Sequence, residues 1–241
     1  MPDQIFNNPR LVAIYDRFDG ERRDLLHYLS IVKELKAKSI LDVGCGTGSF
    51  AALLSSQGLE IIGLDPANAS LDFAREKPEA GKVRWILGDT AALTPLAVDL
   101  AVMTGNVAQV FLTDAEWEAA LEDTRRVLRP RGHLVFEVRD PAKKAWLEWT
   151  KEKTCRRLDI PAIGKVEGWC EVTGEAKELV SFRWTYVFES DGEKITSDST
   201  LRFRGRKAIE ASLIKTGFNI LDVRDAPDRP GKEFIFFAVS K

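Results

Sequence analysis

Three glycines at alternate positions, Gly44, Gly46 and Gly48, follow an apolar run, Ile40-Leu41-Asp42-Val43, and precede a helix-forming run, Ser49-Phe50-Ala51-Ala52-Leu53-Leu54. The chemistry that this spacing serves is ligand binding. Glycine lets the backbone turn sharply and approach a ligand that a Cβ would hold away, and a helix start offers unpaired N–H groups to something polar. Asp42 stands two residues before the first glycine. A carboxylate there repels a pyrophosphate and attracts a cationic group. The dinucleotide fingerprint G-x-G-x-x-G is met by Gly44 and Gly46, but the third glycine falls at 48 and Ser49 holds the required position. A tight turn without any ligand is the bland alternative. The acid before the glycines and a second acid, Asp65, about 20 residues beyond them weigh against it.

These residues need strand ends to present them, and the chain supplies the pattern. Strand and helix signals alternate from residue 38 to about 139, as in a parallel sheet with helices on both faces. The expected strands are the run into Val43, 59–65 ending in Asp65, 83–87 running into Gly88-Asp89, 97–103 running into Thr104-Gly105-Asn106, and 133–138. Thr113-x-x-Glu116 is a capping box opening a helix to Leu128, with Trp117, Leu121, Thr124 and Leu128 on its inward face. Residues 166–204 read as antiparallel. Phe182, Trp184, Tyr186 and Phe188 form one aromatic face packed on the core, and a two-residue turn at Asp191-Gly192 sets Leu201 opposite Phe182 and Ile195 opposite Phe188. A helix over 207–215 and two strands, 219–223 and 233–239, close the chain.

The segment from Ile40 to Gly48 resembles the first motif of class I S-adenosylmethionine (SAM) dependent methyltransferases, and the element order matches that family over roughly 38–139 and 206–241. The resemblance implies an α/β fold with a doubly wound, seven-stranded, mostly parallel sheet in the order 3-2-1-4-5-7-6. It also implies SAM as cofactor and S-adenosylhomocysteine as product. Residues 1–37 are then an N-terminal helical cap on a methyltransferase domain, 38–241, interrupted by an antiparallel β-insertion or lid at 141–205. Ligands in such sheets lie at the carboxyl ends of the strands. By resemblance Gly44, Cys45, Gly46, Thr47 and Gly48 cradle the methionine part, with Asp42 turned to its ammonium or to the loop backbone. Asp65, followed by Pro66, accepts from the ribose hydroxyls. Asp89 accepts from the adenine amino group beside Thr90, and Thr104, Gly105 and Asn106 line the methionine side. Taken singly, each acid is equally well a helix cap or turn residue.

The acceptor is less legible, because methyl transfer needs alignment and water exclusion more than a catalytic motif. The fourth strand lacks an Asn-Pro-Pro-Tyr run and carries Thr104-Gly105-Asn106, which looks like the small-molecule branch. Tyr15, in an Ile14-Tyr15-Asp16 segment preceding a helix through Leu25 and Leu29, is a candidate to fold over the cofactor. Arg139 and Arg183 are candidates to bind an acceptor carboxylate or phosphate. His27, His133, Arg202, Arg204 and the tryptophans at 146, 149 and 169 read as structural. An NAD-linked oxidoreductase, a SAM-binding protein without transferase activity, and a protein or RNA methyltransferase stay open as alternatives.

The composition sets outer bounds. A chain of 241 residues, 44% hydrophobic and 30% charged, is one α/β domain with room for an insertion. A net charge of -2 argues against a nucleic-acid footprint. Three cysteines without a C-x-x-C spacing read as reduced thiols with no metal, and the absence of a signal sequence or a long apolar stretch points to the cytoplasm, with no membrane partner.

Overall fold

The computed structural model describes residues 2–241. Its elements are α1 (Gln4–Asn7), α2 (Pro9–Asp19), α3 (Asp24–Glu34), β1 (Ser39–Val43), α4 (Ser49–Ser56), β2 (Glu60–Asp65), α5 (Asn68–Arg75), β3 (Val83–Leu87), β4 (Val98–Met103), α6 (Asp114–Val127) and β5 (Leu128–Arg139). Then come α7 (Lys151–Thr154), β6 (Arg156–Ile160), β7 (Gly164–Ala176), β8 (Leu179–Phe188), β9 (Lys194–Arg202), α8 (Arg206–Lys215), β10 (Phe218–Asp225) and β11 (Glu233–Ser240). The main sheet runs β3-β2-β1-β4-β5-β11-β10, with β11 antiparallel to both neighbours. This is the seven-stranded, doubly wound order that the family resemblance implied. No helix among the described residues is long and apolar enough to cross a membrane.

The sheet is apolar on both faces. Leu41, Val43, Met103, Phe136 and Phe236 pack with Trp117 and Leu121 of α6 and Leu213 of α8 on one side. Ile40, Leu100, Val102 and Val135 pack with α3 and α4 on the other. Helix α6 begins at the expected capping box, in which the Thr113 hydroxyl accepts from the Glu116 N–H and the Glu116 side chain accepts from the Thr113 N–H.

Four local expectations are corrected. First, β5 begins at Leu128, not His133. Val98 pairs with Leu128 and Leu100 with His133, so Arg129 to Gly132 bulge out of the ladder, with Arg131 at φ 62°. Second, the β8–β9 register is shifted by two residues. Val187 pairs with Lys194, Tyr186 with Ile195 and Val180 with Leu201, because the Gly192 N–H bonds the Phe188 carbonyl and lengthens the loop. A shift of two leaves every side chain on its expected face.

Third, Ile14-Tyr15-Asp16 precedes the expected helix through Leu25 and Leu29, which is α3, but is itself inside another, α2, which an Asn8 cap and Pro9 start. Fourth, the second sheet has four strands, β6-β7-β8-β9, and its aromatic face does not pack on the main sheet. Tyr186 and Phe188 form a core of their own with Ile5, Leu11, Ile14 and Phe18 of α1 and α2.

Phe136 is fully buried, stacked on Phe236 at 5.2 Å between ring centroids and edge-on to Trp117 at 5.4 Å. Phe136→Ala should therefore lower unfolding free energy by about 3–5 kcal/mol in a urea titration. The exposed Arg183→Ala should change it by less than about 0.5 kcal/mol.

Candidate functional site

The carboxyl ends of β1, β2, β4 and β5 meet at one edge of the sheet, and there the loop backbone is held by side chains and by a carbonyl of β2. The N–H groups of Gly44 and Cys45 both donate to the Leu64 carbonyl, at 2.8 and 3.1 Å. Asp65, the last residue of β2, accepts from the Gly46 N–H on Oδ2 and from the Ala67 N–H on Oδ1, both at 2.8 Å. The three glycines take positive φ values of 70°, 53° and 75°. A Cβ on Gly44 would strike Val107, and one on Gly48 would strike Trp85 and Ala74. A Cβ on Gly46 would meet nothing within 4 Å. Gly44 and Gly48 thus let the loop pack closely, and Gly46 leaves its outer side open to a ligand.

Asp42 is 1% exposed, its Oδ1 has no hydrogen-bond partner, and no loop N–H donates to it. Burial, and then the neighbouring Asp65, raise its pKa to about 7, opposed by the Arg22 guanidinium. Arg22 is held by Asp19 and Asp24, and its Nη2 lies 4.0 Å from where a Gly105 Cβ would stand. A buried carboxylate with an unused oxygen beside an open glycine is what a cationic ligand group requires. Burial also raises the Asp65 pKa against its two backbone hydrogen bonds.

The fourth strand end is anchored from β5. Glu137, 5% exposed, accepts from the N–H groups of Gly105 (2.7 Å) and Asn106 (3.3 Å) on Oε1 and from the Tyr28 hydroxyl on Oε2. Burial and the nearby Glu233 raise its pKa. Thr104 is buried, and Gly105 and Asn106 take φ values of 73° and 70°. Asp89 is exposed and caps a short turn through the Ala91 N–H at 3.0 Å, while the Thr90 hydroxyl donates to Asp123.

The N-terminal helices reach the same place. The Thr47 hydroxyl donates to Asp16 at 2.6 Å, and Lys77 pairs with Asp16 at 2.6 Å while donating to the Ser49 hydroxyl at 2.7 Å. Tyr15 is half-buried against Phe6, and burial raises its pKa. Pro66 is exposed beside Asp65, and Cys45 is a buried free thiol. Of the acceptor candidates, Arg139 ends β5 near the fourth strand end, its own N–H bonded to Gln109. Arg183 is not brought there. It forms a two-pronged pair with Asp198 on the exposed face of the second sheet, opposite the Tyr186 face. Arg202 and Arg204 both pair with Asp114 at the start of α6, a structural role.

Sequence reasoning named Asp16 only beside Tyr15 and gave no site role to Arg22, Tyr28, Lys77, Glu137 or Glu233. A carboxylate inside Leu134-Val135-Phe136-Glu137-Val138 was the available signal, since a charge in an apolar strand needs partners.

Residues 40–132 match the model of a methyltransferase domain family. The chain is 37% identical over 134 residues to demethylmenaquinone methyltransferase of Thermus thermophilus, covering 54% of this chain and 60% of that protein. The first curated relatives are spanned over 28% to 60% of their own lengths. Among solved structures the CcbJ methyltransferase of Streptomyces caelestis superposes with a TM-score of 0.79 at 18% identity, over 98% of this chain and 97% of that one. The sugar N-methyltransferase KedS8 of Streptoalloteichus sp superposes with a TM-score of 0.77 at 18% identity, over 91% and 87%. The glycine loop, the strand order and the domain match agree: residues 40–132 are a methyltransferase domain, and the chain has the fold of the class I S-adenosylmethionine-dependent methyltransferases.

Proposed function

We propose that the protein transfers the methyl group of SAM to a small-molecule acceptor in the cytoplasm, and that it does not act on nucleic acid. The observation that carries the reading is Asp42, a buried carboxylate with a free oxygen beside a glycine loop whose open side is Gly46. The sugar and quinone substrates in the names of similar proteins support a small acceptor. The net charge of -2 and three free cysteines support the absence of nucleic acid and the compartment.

When bound, SAM supplies an electrophilic methyl on a sulfonium, transferred by in-line displacement. This chain's residues bind and orient. Asp42 receives the ammonium, and the loop from Gly44 to Gly48, with Cys45 and Thr47 between the glycines, lies along the methionine part. Thr104, Gly105 and Asn106 line its other side. Asp65 keeps its grip on Gly46 and Ala67 and turns its remaining lone pairs to the ribose, with Pro66 flanking. Asp89 and Thr90 face the adenine. Helices α1 to α3, with Tyr15, act as a cap, and the sheet β6 to β9 as a lid that excludes water.

Asp65→Ala should weaken S-adenosylhomocysteine binding by about 1.5–3 kcal/mol in calorimetric titration, through lost charged hydrogen bonds and a loosened loop. Unchanged affinity in a folded variant would overturn the ribose assignment. Turnover of labelled SAM with a panel of small acceptors separates a transferase from a protein that only binds the cofactor.

Asp42 also sets a pH dependence. Its folded pKa, about 7, lies above the unfolded carboxylate value, so the free protein loses stability as pH rises from about 4 through 7. Binding of a cation demands the ionised form, so S-adenosylhomocysteine affinity should rise with pH up to about 7 and then level off. Asp42→Asn should flatten that profile and bind more weakly throughout. A wild-type affinity independent of pH between 5.5 and 8 would remove the ammonium from Asp42.

A further inference from the structure

Arg139 carries a charge that nothing in the fold uses. Its register partner across the sheet is Glu233, whose carboxylate instead holds Arg229 at 2.8 Å. Among the described residues no hydrogen bond or ion pair reaches the Arg139 guanidinium. Its Nε is buried without an acceptor, and its close neighbour is the Trp149 ring, 5.3 Å from Cζ to centroid. Burial and the Arg229 charge lower its pKa from the usual arginine value. Glu233 and Glu137 oppose that fall from a distance, but neither pairs with the guanidinium. An enclosed cation without a bonded counter-charge costs stability, and the five N–H donors of a guanidinium form a rigid fork that matches a carboxylate or phosphate.

A cavity of about 290 Å³ opens against this side chain, lined by Arg139, Ala145, Asp228, Arg229, Pro230 and Lys232. Three of the lining residues are cations and one is an acid. Asp228 has its own partner in Arg229, at 3.7 Å. Strand β5 connects the cavity to the proposed transfer site through Arg139, which lines the one and is bonded beside the other. Glu137, two residues before Arg139, holds Gly105 and Asn106, and the Arg139 N–H holds Gln109 just beyond them.

We propose that this cavity receives an anionic group of the methyl acceptor, a carboxylate or a phosphate, with Arg139 as the side chain that binds it. The proposal rests on the transferase reading and narrows its substrate class. A small molecule bearing such a group is anchored on the β5 and β11 side, and its reacting atom is left to reach the fourth strand end. Trp149 fixes the guanidinium plane from one face, so that the fork is oriented before the ligand arrives.

The test uses the full chain in two calorimetric steps. Wild type is first titrated with S-adenosylhomocysteine. The loaded protein is then titrated with acetate, malonate, succinate and inorganic phosphate, alongside Arg139→Gln and Arg139→Lys. Saturable binding of at least one anion is expected, weakened about ten-fold or more in Arg139→Gln. Arg139→Lys should fall between, since it keeps the charge and loses the fork. Binding of carboxylates alone or of phosphate alone identifies the source of the anion. The Arg139→Gln protein should melt at or above the wild-type temperature and keep its S-adenosylhomocysteine affinity, because the guanidinium has no hydrogen bond or ion pair to lose. Equal anion affinity in Arg139→Gln, a marked fall in its melting temperature, or no anion binding to loaded wild type would each overturn the proposal. Failure of wild type to bind S-adenosylhomocysteine at all would instead overturn the cofactor reading on which it rests.

Discussion

The grip of the β2 terminus on the glycine loop is the constraint around which the rest is arranged. Leu64 offers one carbonyl to two successive N–H groups, and Asp65 takes the next one, so three consecutive loop residues are fixed from a neighbouring strand. The loop cannot relax into a regular helix start, because Gly44, Gly46 and Gly48 all stand in the left-handed region. Trp85 and Val107 close over it at distances no side chain would tolerate. Asp65 therefore works twice, as a clamp on its own backbone and, in the proposed function, as a ligand acceptor. The clamp leaves lone pairs available, since each carboxylate oxygen has accepted only one N–H.

A second regularity is where the fold tolerates buried charge. Asp42, Glu137, Arg139 and Glu233 all lie at the carboxyl edge, on the sheet face shared with α3 and α4. The apolar layers below need no such groups. Of the four, Glu137 is satisfied by two N–H groups and a phenol, Glu233 is half satisfied by Arg229, and Asp42 and Arg139 have no hydrogen-bond partner. Burial of unpaired polar groups is costly, and four buried or half-buried charged side chains on one face of this edge, two of them without a hydrogen-bond partner, are the physical mark of a site built for something outside the chain.

Much of this was legible in the sequence where the signal is local. The glycine spacing, the acids at strand ends and the Thr113 capping box each follow from backbone rules over a few residues, and the sheet order followed from family resemblance. What was not legible depends on pairing across the chain. The β8–β9 register turned on one long loop, and a shift of two residues preserves the apolar pattern that would have betrayed it. Strand β6, with Arg156, Arg157 and Asp159 on an outer edge, lacks the alternation of a half-buried strand. Tyr28 and Glu137 are 109 residues apart, and neither carries a spacing that names the other. Arg183 misled because a basic residue on a sheet face looks the same whether it faces a ligand or an aspartate.

The aromatic core shared by α1, α2 and the second sheet reaches further. Phe18 meets Tyr186 edge-on at 5.0 Å, Arg10 lies 3.8 Å over Phe188, the Ile5 N–H bonds Ser197, and Arg156 bonds the Phe18 carbonyl. Gly168 is glycine because a Cβ there would press into Phe18. The chain's first helices and its β-insertion, separated by five of the seven strands of the main sheet, are thus one packing unit and not two appendages. In a chimera between relatives the insertion is not portable alone. The interchangeable module consists of two discontinuous stretches, 4–19 and 156–202, and an exchange that moves only one strands an aromatic surface against a partner shaped for another.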